Sequence, residues 1–119
     1  FVVGNAIEAQ LVEMHPLRAS VRFVYEFGSS RITQTVSLDA LADRLEFDCT
    51  ADWRETSKFL KAEFDVDVRS QEATYEVQFG HVKRPTHYNT SWDIARFEVC
   101  GHRWADFSEH GFGVALMRG

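Results

Sequence analysis

Leu17-Arg18-Ala19-Ser20-Val21-Arg22-Phe23-Val24-Tyr25-Glu26-Phe27, followed by Gly28-Ser29-Ser30 and Arg31-Ile32-Thr33-Gln34-Thr35-Val36-Ser37-Leu38, is the stretch that decides the fold. Apolar side chains occupy every second position from Leu17 to Phe27, with Arg18, Ser20, Arg22 and Glu26 between them and only Val24 out of step. A period of two is the mark of a half-buried strand. Gly28-Ser29-Ser30 supplies turn chemistry, and Ile32, Gln34, Val36 and Leu38 then repeat the period with Thr33, Thr35 and Ser37 on the other face. The two runs form a hairpin.

The same period continues on both sides. Ile7 to Met14 is a weaker strand, stopped by His15-Pro16, because proline is tolerated at a strand end and not inside a ladder. Asp39 to Asp43 is too short for a stable helix and is expected to be a loop. Leu45, Phe47, Cys49, Ala51 and Trp53 alternate with Glu46, Asp48, Thr50 and Asp52. Arg54 to Ser57 turns the chain, and Leu60, Ala62, Phe64, Val66 and Val68 alternate with Lys61, Glu63, Asp65 and Asp67, so a second long antiparallel pair is expected. Ala73, Tyr75, Val77 and Phe79 predict a further strand, with residues 80–83 leading out of it. Phe97 and Val99, then Trp104 and Phe107, then Phe112 and Val114 to Met117 predict short strands separated by Gly101, Gly111 and Gly113. No segment of ten residues carries a 3.6-residue period, so the class is all-β and antiparallel. One-sided strands joined by tight turns predict a β-sandwich, incomplete in this chain.

The 119 residues fit one domain, and 45% apolar composition suffices for a core. A net charge of -5 and a pI near 5.5 exclude a phosphate-driven nucleic-acid binder or a binder of anionic membranes. No apolar run reaches the roughly 18 residues that span a bilayer. Cys49 and Cys100 each fall in an apolar pattern and read as buried free thiols, which points to a reducing compartment. The sequon Asn89-Thr90-Ser91 matters only in a secreted chain, and nothing else points to secretion.

Chemistry concentrates in Arg84-Pro85-Thr86-His87-Tyr88-Asn89-Thr90-Ser91-Trp92-Asp93 and the residues that follow it to Gly113. Pro85 removes a backbone donor, and Thr86, Asn89, Thr90, Ser91 and Asp93 offer local bonds that compete with a ladder, so an ordered loop is expected. Three of the five histidines and two of the three tryptophans lie between His87 and His110, and such a mixture of aromatic faces and polar tips suits a ligand-contacting surface. His81, His87, His102 and His110 match no compact ligand spacing, so no metal site is expected here. A Ser-His-Asp set can be assembled from Ser91 or Ser108, His87 or His110, and Asp93 or Asp106, but no nucleophile elbow or oxyanion nest accompanies it. Asp93 is expected to pair with Arg96 and hold the loop, and Trp92 to plug the core ahead of serving as a sugar-stacking platform. No catalytic residue is assigned.

Arg84-Pro85-Thr86-His87, Asn89-Thr90-Ser91-Trp92-Asp93, Ala95-Arg96-Phe97-Glu98-Val99, His102-Arg103-Trp104, Asp106, Ser108-Glu109 and Gly111-Phe112-Gly113-Val114-Ala115-Leu116 closely resemble a segment of the class II α-mannosidases, glycoside hydrolase family 38, in their cytosolic and bacterial branch. The likeness extends upstream through residues 28–34, Asp52-Trp53, residues 58–61, Ala73-Thr74-Tyr75-Glu76 and Phe79-Gly80-His81. It departs at Met117-Arg118-Gly119, where family members continue into a Leu-Asn-Asp turn. The resemblance implies part of a C-terminal β-sandwich domain of the galactose-mutarotase supersandwich kind, spanning residues 1–119, in a cytoplasmic enzyme that removes terminal α-linked mannose from oligosaccharides with retention. It implies that the zinc, its histidine and aspartate ligands and the aspartate nucleophile lie in a catalytic domain outside this chain, which that domain would meet as a partner. The beginning at Phe1 and the end at Gly119 are read as cuts. On this reading the piece is a scaffold, with His87, Asn89, Trp92 and Arg96 as candidate substrate contacts. The alternative is a stand-alone carbohydrate-binding or interaction module without catalytic activity.

Overall fold

The structure, a computed structural model, describes residues 2–118. They fall into two compact units, the first ending at Lys61 and the second beginning at Ala62, and each carries one four-stranded antiparallel sheet. The class expected from the alternation is therefore the class observed, all-β and antiparallel, as a fragment of a β-sandwich provides.

The first sheet is a meander of β1 (Glu8–His15), β2 (Arg18–Phe27), β3 (Ser30–Asp39) and β4 (Leu45–Asp52), in that order. The predicted hairpin is present in full register from Arg18 opposite Asp39 to Phe27 opposite Ser30, with Gly28 at a φ of 59° in the turn. That left-handed backbone is open to glycine at no steric cost. Pairing sorts the sheet into two faces. One carries Ala9, Leu11, Met14, Val21, Phe23, Tyr25, Val36, Leu38, Leu45, Phe47 and Cys49, and the other Arg18, Ser20, Arg22, Asp39, Glu46 and Asp48. Strand β1 keeps its apolar residues on the first face only through a bulge between Leu11 and Glu13, where Val12 is the extra residue.

Burial in this unit departs from simple alternation. Leu11, Met14, Leu38, Leu45 and Phe47 on the apolar face are exposed, whereas Val24 on the polar face is 4% exposed. Ser20 and Ser37 are buried there as well and share a 2.9 Å hydroxyl bond. Beside them Arg18 reaches Asp39 and Glu46 at 3.2 and 3.5 Å. On the apolar face the ring of Trp53 stacks on Phe27, with centroids 5.8 Å apart.

The strand predicted over residues 60–68 does not form. After β4 the Arg54 N–H donates to Ser30 Oγ at 2.8 Å, and Glu55 accepts from the Ser29 N–H at 2.9 Å and from Lys58 Nζ at 2.7 Å. Trp53 Nε1 donates to the Lys58 carbonyl. These bonds hold residues 54–58 against the turn end of the β2–β3 hairpin, and residues 60–68 pair with no strand of either sheet.

The second sheet has the order β6-β5-β7-β8, built from β5 (Glu72–Val77), β6 (Gly80–Pro85), β7 (Trp104–Glu109) and β8 (Phe112–Met117). Residues 80–83, expected as a lead-out, and Arg84-Pro85, expected to begin the loop, together form a strand paired with β5. Phe79 is fully exposed in the turn at a φ of 64°, a conformation uncommon for a bulky residue and therefore hidden from a reading by residue type. The strand predicted at Phe97 and Val99 is absent. Both cysteines are free and both exposed, which corrects the expectation of buried thiols: Cys49 lies on an edge strand and Cys100 on an irregular segment.

Candidate functional site

The segment expected to be wholly irregular contains a short helix, α1 (Ser91–Ala95). Thr90 is its N-cap, in extended backbone, and its Oγ1 accepts the Asp93 N–H at 3.2 Å. Asp93 returns the interaction: its Oδ2 accepts from the Thr90 N–H at 3.0 Å and from Thr90 Oγ1 at 2.7 Å. This reciprocal box satisfies backbone donors that a helix start otherwise leaves unpaired. The Thr-x-x-Asp spacing at residues 90–93 is the sequence signal that finds it.

Asp93 also takes His87. The His87 Nδ1 lies 3.5 Å from Asp93 Oδ2, an ion pair when the imidazole is protonated. The Thr90 hydroxyl, then the Thr90 N–H and the charges of His87 and Arg96, hold the Asp93 carboxyl below its usual range against a smaller opposing effect of desolvation. The expected Asp93–Arg96 pair is thus replaced by Asp93 with Thr90 and His87. Arg96 contributes charge, and its backbone N–H donates to the Asp93 carbonyl at 3.0 Å.

Strand β6 and its exit are fixed from the other side. Thr86 Oγ1 donates to the Ser70 carbonyl at 2.7 Å, and the Thr86 N–H donates to the Gln71 carbonyl at 3.0 Å. Arg84 lies over the Tyr75 ring, 5.8 Å from its centroid, and its Nη2 donates to the Cys100 carbonyl at 3.2 Å. Gly101 passes so close to Tyr75 that an added Cβ would sit 3.1 Å from Cδ1 of its ring. Between β6, the His87 turn and α1 these contacts leave a cavity of about 300 Å³, lined by residues that include Tyr75, Arg84, His87, Tyr88, Arg96 and Phe97.

Two of the four sequence candidates therefore share this cavity, His87 and Arg96, while Asn89 and Trp92 are not part of its wall. Trp92 is 75% exposed and does not plug a core, because α1 buries none of its residues. Asn89 is exposed on the same turn. Tyr88, Ile94 and Phe97 are exposed too, so the capped helix presents an aromatic and aliphatic surface. Ser108 Oγ donates to Asp106, and among the described residues no serine hydroxyl bonds a histidine, so no triad is assembled. Among the described residues no three His, Cys, Asp or Glu side chains form a group that could hold a metal ion.

Comparison with known proteins supplies what this geometry lacks. The model of the glycosyl hydrolases family 38 C-terminal domain matches residues 1–119. The chain belongs to that family. This family 38 segment is 56% identical to alpha-mannosidase 2C1 of Homo sapiens over 117 residues, 98% of this chain and 11% of that protein. It is 45% identical over 113 residues to alpha-mannosidase G of Dictyostelium discoideum, and 48% identical over 108 residues to the alpha-mannosidase of Saccharomyces cerevisiae, covering 91% and 84% of this chain. The family 38 segment spans about a tenth of the length of these relatives. No helix among its described residues is long and apolar enough to cross a membrane.

Proposed function

We propose that this family 38 segment is a β-sandwich scaffold within a retaining α-mannosidase that removes terminal α-linked mannose from oligosaccharides in the cytoplasm. The match of residues 1–119 to the family 38 C-terminal domain, with relatives named as alpha-mannosidases, carries this reading. Zinc and the nucleophile belong to the catalytic domain of the same polypeptide, outside these residues. The cytoplasmic location goes with the likeness to the cytosolic and bacterial branch.

Within that enzyme the α1 turn meets the substrate. The capping box holds the turn, and Asn89 and Trp92 stand exposed at it, offering an amide and a broad aromatic face of the kind that packs on pyranose C–H faces. His87 and Arg96 stand behind them at the cavity wall. The test is turnover of 4-nitrophenyl α-mannoside by the full-length enzyme, with the anomer of the first product read by proton NMR. Retention and a raised KM in Trp92→Ala and Asn89→Ala are expected. An inverted product removes the retaining assignment, and kinetics unchanged in both variants remove the substrate-contact role.

A further inference from the structure

The cavity between β6 and α1 has a charge pattern that a neutral sugar does not explain. Four permanently or ordinarily ionised groups line it: Lys83, Arg84, Arg96 and Asp93. Lys83 is turned to Glu72, with its Nζ 3.5 Å from the carboxylate. Asp93 is occupied by Thr90 and His87. That leaves two guanidinium groups, and among the described residues neither is bonded to a carboxylate. Arg84 is half-buried, its one bond goes to a neutral carbonyl, and its Nε is buried without a partner. A half-buried cation without a bonded counter-charge is unfavourable, and an incoming anion offsets that penalty. Arginine is also the side chain whose planar fork matches a carboxylate or phosphate. Tyr75, Tyr88 and Phe97 complete the wall with aromatic surface, and about 300 Å³ lies at the lower end of the range for small-molecule sites.

We propose that this cavity is a binding site for a sugar-sized organic oxyanion, a carboxylate or phosphate ester held by Arg84 and Arg96, with the ring portion against Tyr75, Tyr88 and Phe97. His87, 3.5 Å from Asp93 at the cavity wall, adds a third cation when it is protonated. The site does not depend on the mannosidase reading and is tested without reference to turnover.

The experiment is isothermal titration of the full-length chain that carries this segment with three probes: mannose 6-phosphate, mannuronate and neutral methyl α-mannoside. Binding of one or both anions, weakened by added salt and at least tenfold weaker in Arg96→Gln, is the expected result. Arg96 is exposed and its side chain supports no bond in the fold, so this variant keeps the structure. Arg84→Lys keeps the charge and loses the fork, and is expected to favour the phosphate over the carboxylate relative to wild type. The preferred probe tells a phosphate ester from a carboxylate. Absence of binding by both anions, equal affinity for the neutral glycoside, or unchanged anion affinity in Arg96→Gln overturns the proposal.

Discussion

Helix α1 is five residues long, buries none of them and therefore rests on its cap, since a single turn is unfavourable to nucleate by itself. Thr90→Ala removes both bonds of the Thr90 hydroxyl, to the Asp93 N–H and to Asp93 Oδ2. Losing such a cap costs about 1 kcal/mol, within a range of about 0.5–2. At about 1.4 kcal/mol per factor of ten, the open population of the turn rises roughly fivefold, between about twofold and thirtyfold over that range. Native-state amide exchange on the full-length chain reads this directly. The Ile94 and Arg96 amides report, because they donate to the Thr90 and Asp93 carbonyls at 3.1 and 3.0 Å. Both are expected to exchange about fivefold faster in Thr90→Ala and at the wild-type rate in Thr90→Ser, while strand β2 amides stay unchanged. If Ile94 and Arg96 keep their wild-type rates in Thr90→Ala, the cap neither holds the turn nor presets Asn89 and Trp92.

Two further predictions concern the first sheet. Glu55 is lowered from 4.5 to about 2, chiefly by Lys58 and then by the Ser29 N–H, so its contribution to stability is complete above about 4.5 and disappears as the pH falls toward about 2. Thermal melts of wild type and Glu55→Gln should differ near neutral pH and converge through that window, and a constant difference would refute the clamp. Ser37→Ala strands the buried Ser20 hydroxyl and should cost about 1–3 kcal/mol in denaturant unfolding, whereas the Ser20→Ala, Ser37→Ala double variant should be nearer neutral. A double variant as costly as the two singles together would show that the hydroxyls are uncoupled.

The first sheet was legible because its residues alternate with turn chemistry between them, and the hairpin from Leu17 to Leu38 is where the sequence predicts it. The failures have local causes. Residues 60–68 alternate as well as any strand, but a period reports two faces and not a partner, and these residues join neither sheet. Strand β6 escaped because Phe79 turns the chain where glycine or asparagine is the usual signal. In the candidate site, His87 and Arg96, singled out as substrate-contact candidates, line one cavity. Composition misplaced Trp92 in a core, since an indole reads alike as an anchor or as an exposed face. Arg84 stood in the motif without a role, because its lack of a bonded counter-charge is a property of three-dimensional surroundings.

The bulge at Val12 bears on how length variation among relatives should be read. Val12 is the unpaired residue of an edge strand, and the pairs on either side of it, Leu11 with Val21 and Glu13 with Ser20, are complete without it. A chain lacking this one residue would keep Leu11 and Met14 on the same face. The identical deletion within β2 or β3, paired on both sides, would turn over every residue between it and the next turn. A gap at position 12 is therefore silent for the architecture, whereas a gap inside β2 or β3 would exchange the faces of the residues beyond it.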